Sequence, residues 1–98
     1  MSRALRLTRA AEADLQEAAD WYRDQSEPAA LRFRLAIDEA LDRIRENPLA
    51  YSKVRGTTRR ALTHGFPYSV FFRLQAETIL VIAIIHQARN PRVWQRRI

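Results

Sequence analysis

His86, Arg89, Tyr68 and Arg73 are the residues whose types could do bond chemistry in this chain. Cleaving RNA without a metal requires a base for the 2′-hydroxyl, cations for the phosphate charge and an acid for the leaving oxygen. His86 or Tyr68 could handle the protons. Arg59, Arg60, Arg73 and Arg89 could supply the cations. His86 ends an apolar run close to Arg89, and an imidazole suits either proton role because its ordinary titration lies near neutrality. The competing reading is a strand-end histidine that hydrogen-bonds the backbone or the tail. His64, beside Gly65, reads as an ordinary turn residue. Two isolated histidines without an i, i+4 partner or an adjacent carboxylate do not make a metal site, and nothing in the sequence asks for a cofactor.

The other chemistry on offer is the binding of anions. The chain carries 17 Lys+Arg against 11 Asp+Glu. Residues 1–47 hold 8 basic and 10 acidic side chains, and residues 48–98 hold 9 and 1, so the whole excess sits in the second half. Every basic residue except Lys53 is arginine, whose planar fork suits carboxylate or phosphate. The implied partner is an acidic protein segment, a nucleic acid, or a complex containing one. Trp94 stands between Arg92 and the pair Arg96-Arg97, where an aromatic ring can stack on a base, anchor an interface, or fold back over the sheet. Arg59 and Arg60 point to opposite faces if their segment is a strand, so one of them faces a ligand. The candidate binding set is Arg59, Arg60, Arg89, Arg92, Trp94, Arg96 and Arg97, with Trp21 as a further surface candidate because it lies off the apolar stripe of its helix.

The elements that must position these groups follow from hydrophobic period. Leu5 and Leu7, alternating with Arg6 and Thr8, predict a short first strand. Thr8 can cap a helix whose face is Ala11, Leu15, Ala18 and Tyr22, ending near Asp24-Gln25. Ser26 is the next cap, with Pro28 tolerated in the first turn that follows. Phe33, Ile37, Ala40, Leu41 and Ile44 form the second stripe, stopped by Asn47-Pro48. So short a link predicts an antiparallel helical hairpin. Leu49 to Gly56 reads as an irregular loop and Thr57 to Thr63 as a strand. Tyr68, Val70, Phe72 and Leu74 give a strand with one buried face. The hairpin tip is expected at Gln75-Ala76. Thr78 to His86 is apolar on both faces and reads as a central strand. The tail from Gln87 is too basic for a core strand. The expectation is an α+β fold: a strand, a helical hairpin, then a three-stranded antiparallel meander, with the helices on one sheet face.

Length and composition narrow the classes further. Ninety-eight residues, 47% hydrophobic, fit one domain over 1–98 with a small core. The absence of cysteine removes disulfide frameworks, cysteine-based metal sites and thiol catalysis. The run Ile79–Ile85 is far shorter than the roughly 20 apolar residues of a membrane span, and Met1 to Arg6 has no signal-peptide core. A cytoplasmic, soluble protein is expected, with no membrane partner.

The order of elements resembles the RelE/ParE superfamily of bacterial toxins from type II toxin–antitoxin modules. The resemblance covers nearly the whole chain. Its pieces are Thr8-x-x-Ala11 leading to Leu15 and Tyr22, then Asn47-Pro48, then Phe66-Pro67-Tyr68-Ser69-Val70, and finally His86-x-x-Arg89-x-Pro91-x-x-Trp94-x-x-Arg97. The uninterrupted hairpin and the Arg-Asn-Pro…Trp tail are similar to the ParE branch. That branch implies a growth-arresting, plasmid-stabilising toxin that blocks DNA gyrase by binding. It also implies a cognate antitoxin whose acidic, partly disordered C-terminal segment folds over the toxin. The RelE branch implies a ribosome-dependent mRNA endoribonuclease instead, with His86, Arg89, Arg73 and Tyr68 as its catalytic candidates. Here the tail ends Arg96-Arg97-Ile98 without Tyr or His, and Phe72 stands where many relatives carry Tyr, which weakens the ribonuclease implication. A third reading is a non-toxic remnant that only binds its antitoxin.

Overall fold

The computed structural model describes residues 3–98; Met1 and Ser2, part of the amino-terminal stretch discussed above, lie outside the described residues. In chain order the elements are β1 (Ala4–Leu7), α1 (Arg9–Gln25), α2 (Glu27–Glu46), a 3₁₀ turn (Pro48–Ala50), β2 (Lys53–Arg55), β3 (Thr58–Leu62), β4 (Tyr68–Gln75), β5 (Thr78–His86) and α3 (Arg92–Gln95).

Both long helices start where a hydroxyl can satisfy a free amide. Thr8 Oγ1 accepts from the Ala11 N–H at 3.1 Å, and Ser26 Oγ accepts from Ala29 at 3.1 Å. Ser26 also ends α1, donating its N–H to the Tyr22 carbonyl at 2.9 Å. One residue therefore serves as stop and start, and the hairpin has no slack. Pro48 forces Asn47 out of the helical region, to φ −151° and ψ 74°, and α2 ends there.

The sheet has the order β1-β5-β4-β3-β2. β1 runs parallel to β5, and the other pairs are antiparallel. Helices α1 and α2 form the crossover between the parallel strands and pack on one face. Phe33, Ile37 and Ile44 of α2 meet Val70, Phe72, Ile79 and Val81 of the sheet in a fully buried layer. Ala11, Ala18 and Ala19 keep α1 close enough to complete it. Tyr22, Phe33, Phe66 and Tyr68 close one end as an aromatic cluster with ring centroids about 5–6 Å apart.

Three expectations need amending. Leu49 to Gly56 is not wholly irregular: it holds the 3₁₀ turn and the edge strand β2, joined to β3 by the two-residue turn Gly56-Thr57. Three residues are too few for a period-2 pattern to register. The hairpin tip is Ala76-Glu77, because Gln75 pairs with Thr78, and Ala76 takes φ 53°. Finally, helices do not lie on one face alone. α3 covers the opposite face, where Trp94 packs with Phe71, Ile82, Ala83 and Ile85 in a second small core. This second cover explains why β5 is apolar on both sides.

Candidate functional site

The arginines of the candidate set divide into those engaged inside the fold and those left free. Arg97 belongs to the first group. Its Nη2 donates to Asp14 Oδ1 at 3.1 Å, and its Nη1 bonds both Asp14 Oδ2 and the Ile82 carbonyl, the latter at 3.1 Å. Asp14 Oδ2 also accepts the Ile84 N–H at 3.0 Å. The cause is a register break. Phe71 pairs with Ala83 and Phe72 with Val81, so Ile82 bulges out of the β4–β5 ladder. β1 ends opposite Val81, and beyond it two side chains satisfy the backbone groups that a strand would have satisfied. The pair is bidentate and mostly shielded, with side chains 25% and 12% exposed. Arg97 therefore joins the tail to α1 and β5, and its guanidinium is engaged inside the fold.

Arg59 is engaged as well. It points to the helix side and donates from Nη1 to the Tyr51 carbonyl at 2.6 Å, holding the segment before β2. Arg60 is the exposed member of the pair. Trp94 is only 8% exposed and stacks on Phe71 with centroids 4.4 Å apart, so its ring is a cover for the sheet rather than a free stacking platform. Trp21 is 57% exposed, edge-on to Tyr22 at 5.0 Å. Together with Tyr22, Pro67, Tyr68 and His86 it lines an apolar cleft of about 490 Å³.

Among the described residues the ion pairs are Arg23 with Asp20 and Glu27, Arg45 with Asp42, and Arg97 with Asp14. Among the described residues Arg60, Arg89, Arg92 and Arg96 have no carboxylate partner, and all four are exposed. Two adjoining clefts collect part of this charge. One, of about 140 Å³, lies on the α3 side of the sheet between Arg60, Ser69, His86, Arg89 and Trp94. The other, of about 450 Å³, lies at the β3 edge between Arg43, Tyr51, Ser52, Arg60, Leu62 and His64. Neither is lined by Asp or Glu.

Tyr68 lies elsewhere, and His86 and Arg89 border both places. Tyr68, His86 and Arg89 share a cleft of about 300 Å³ between α1 and the end of β5, and its other wall carries Asp14, Glu17, Asp20 and Asp24. Arg73 is not in it; it pairs with Leu80 further along β4. His86 Nδ1 accepts the Ala88 N–H at 3.0 Å, the backbone role anticipated for a strand-end histidine. Burial lifts the Tyr68 hydroxyl above its ordinary pKa, the Tyr22 and Glu17 charges add to that, and Arg89 opposes it. A base needs the opposite shift. Glu17 and Asp24, which have no cationic partner among the described residues, also disfavour a phosphodiester nearby.

Sequence reasoning missed Asp14, Arg43 and His64. Asp14 did leave a signal. It sits three residues after Ala11 and four before Ala18, in line with the buried stripe, where an isolated carboxylate needs a partner. Arg43 and His64 left none, because they converge only through packing.

The comparisons with known proteins point one way. The family model described as the ParE toxin of the type II toxin–antitoxin system, parDE, matches residues 5–91. The chain belongs to the ParE toxin family. Two relatives, each called Toxin ParE2, come from the CDC 1551/Oshkosh and ATCC 25618/H37Rv strains of Mycobacterium tuberculosis. Each is 30% identical to this ParE chain over 99 residues, spanning all of it and 94% of the relative. The same fold occurs in a chromosomal ParDE toxin–antitoxin system from P. aeruginosa, with TM-score 0.76 and 24% identity over 86% of this chain and 95% of that one. It occurs again in the RelBE2 toxin–antitoxin complex of M. tuberculosis, with TM-score 0.63 and 17% identity over 88% and 99% of the two chains. This ParE-family chain is a type II toxin, as its sequence pattern implied.

Proposed function

We propose that this toxin arrests growth by binding DNA gyrase, without bond chemistry of its own, and that a cognate antitoxin neutralises it by laying an acidic, partly disordered segment over the cationic clefts. The observation that carries the reading is a set of unpaired guanidiniums beside carboxylate-free clefts. Arg60 and Arg89 line such a cleft, His86 beside them already accepts the Ala88 N–H through Nδ1, and Tyr68 lies instead in a cleft walled by four carboxylates. The carboxylate-free clefts thus offer cations without the Tyr68 hydroxyl beside them. Family membership supplies the toxin role, and gyrase is the target that the ParE resemblance implies.

The purified chain is expected to inhibit supercoiling, or to accumulate cleaved DNA with gyrase, and an acidic antitoxin segment is expected to reverse the effect. Unchanged gyrase activity at high toxin concentration removes the reading. Codon-specific mRNA cuts in a translating extract, lost on His86→Ala or Arg89→Ala, replace it with the ribonuclease. Harmless expression together with tight antitoxin binding replaces it with the remnant.

A further inference from the structure

The cleft at the β3 edge has features that binding to a protein target does not require. β2 pairs with β3 only as far as Arg59, with the Arg60 N–H reaching the Ser52 carbonyl at 3.3 Å. Past that point the edge is bare, and Arg43 of α2 reaches across to bond the Leu62 carbonyl through Nη2 at 3.2 Å. That contact fixes the guanidinium and leaves the rest of its fork directed away from the carbonyl. The imidazole of His64 and the Ser52 hydroxyl are exposed on the same wall, and Leu62 and Tyr51 give it an apolar floor. Arg60 lines this cleft and also the smaller one that contains Arg89. The two clefts are therefore joined across β3 by a guanidinium with no carboxylate partner, and Arg43 has none either. Unpaired cations over a partly apolar floor, in two adjoining clefts that no acid lines, suit a sugar–phosphate strand, whose charges repeat along its length and whose sugars are apolar between them.

We propose that the track Arg43–Arg60–Arg89 binds the phosphodiester backbone of DNA directly. The proposal deepens the gyrase reading, and it rests on that reading in naming DNA as the strand the toxin meets.

The test uses the full-length toxin and a short fluorescein-labelled DNA duplex, with the corresponding single strand, followed by fluorescence anisotropy between about 50 and 200 mM salt. Wild type is expected to bind, with affinity falling as salt rises. Arg60→Ala is expected to weaken binding about tenfold at the lowest salt and to flatten the log–log salt slope by about 1. His64→Ala is expected to have a smaller effect. Arg32→Ala, which removes the same charge on the outer surface of α2, is expected to leave the slope unchanged. Arg43→Ala also removes the bond to Leu62, so Arg60→Ala and His64→Ala carry the decision if Arg43→Ala does not fold. No DNA binding by wild type at low salt overturns the proposal. So does an Arg60→Ala loss no greater than that of Arg32→Ala. Supercoiling assays on the same variants separate the two readings. DNA binding with gyrase untouched leaves the track and removes the gyrase target, whereas gyrase inhibition that survives Arg60→Ala without any DNA binding does the reverse.

Discussion

The groove between α1 and β5 and the clefts along β3 are opposite solutions to the same problem. Each lies where a sheet edge runs out of partner strand, and each needs side chains to satisfy the exposed backbone. In the groove an acid does this: Asp14 takes the Ile84 amide and then captures Arg97 from the tail. Along β3 a base does it: Arg43 takes the Leu62 carbonyl, and nothing neutralises it. The first solution closes on itself and becomes structure. The second leaves charge in reserve. Net charge alone does not separate the two, because arginines occur in both.

The largest expected effect is on the closed side. Asp14→Ala strands a mostly shielded guanidinium and removes the acceptor for Ile84, and is expected to cost about 3 kcal/mol, read as a drop in urea midpoint. Arg97→Ala should cost a similar amount, and the double variant should cost clearly less than the sum. Additivity would break the comparison by showing that the two groups do not act as a pair.

A second effect sharpens the electrostatics of the groove. Burial raises the Tyr22 and Tyr68 hydroxyls above their ordinary pKa in the folded chain. The stability that goes with the neutral hydroxyls is complete below about pH 10 and is lost as pH climbs through the raised values. Denaturant midpoints measured across that range should fall, and less steeply in Tyr68→Phe. Because Glu17 adds to the rise and Arg89 opposes it, Glu17→Gln should move the tyrosinate absorbance step of Tyr68 to lower pH, and Arg89→Ala should move it to higher pH.

The smallest effect belongs to the open side. Arg60→Ala, Arg92→Ala and Arg96→Ala are expected to change stability by less than about 0.5 kcal/mol in the same urea titrations, since these exposed side chains have no partner to lose. A larger loss would mean that the free charges are engaged after all.

How much could be read in advance depended on the range of the interaction. The helical hairpin was legible because stripes such as Ala11–Leu15–Ala18 and caps such as Thr8 and Ser26 act within a turn or two. β4 and β5 were legible because eight or nine residues repeat a period many times. α3 and β2 were not, since four and three residues repeat nothing. Within the candidate set, the division between Arg59 and Arg60 followed from strand alternation, although which of them faced inward did not. Arg97 reads as a binding residue for a similar reason: the partner that engages it, Asp14, lies 83 positions away.

Local pattern by itself determined the order of elements, the paired helices, the apolar central strand and the basic second half, because each depends on neighbours in sequence. Only the tertiary structure decided which arginines are free. That depends on where a bulge at Ile82 and a short β2 leave the sheet edges bare, and on which side chains from distant segments arrive to cover them.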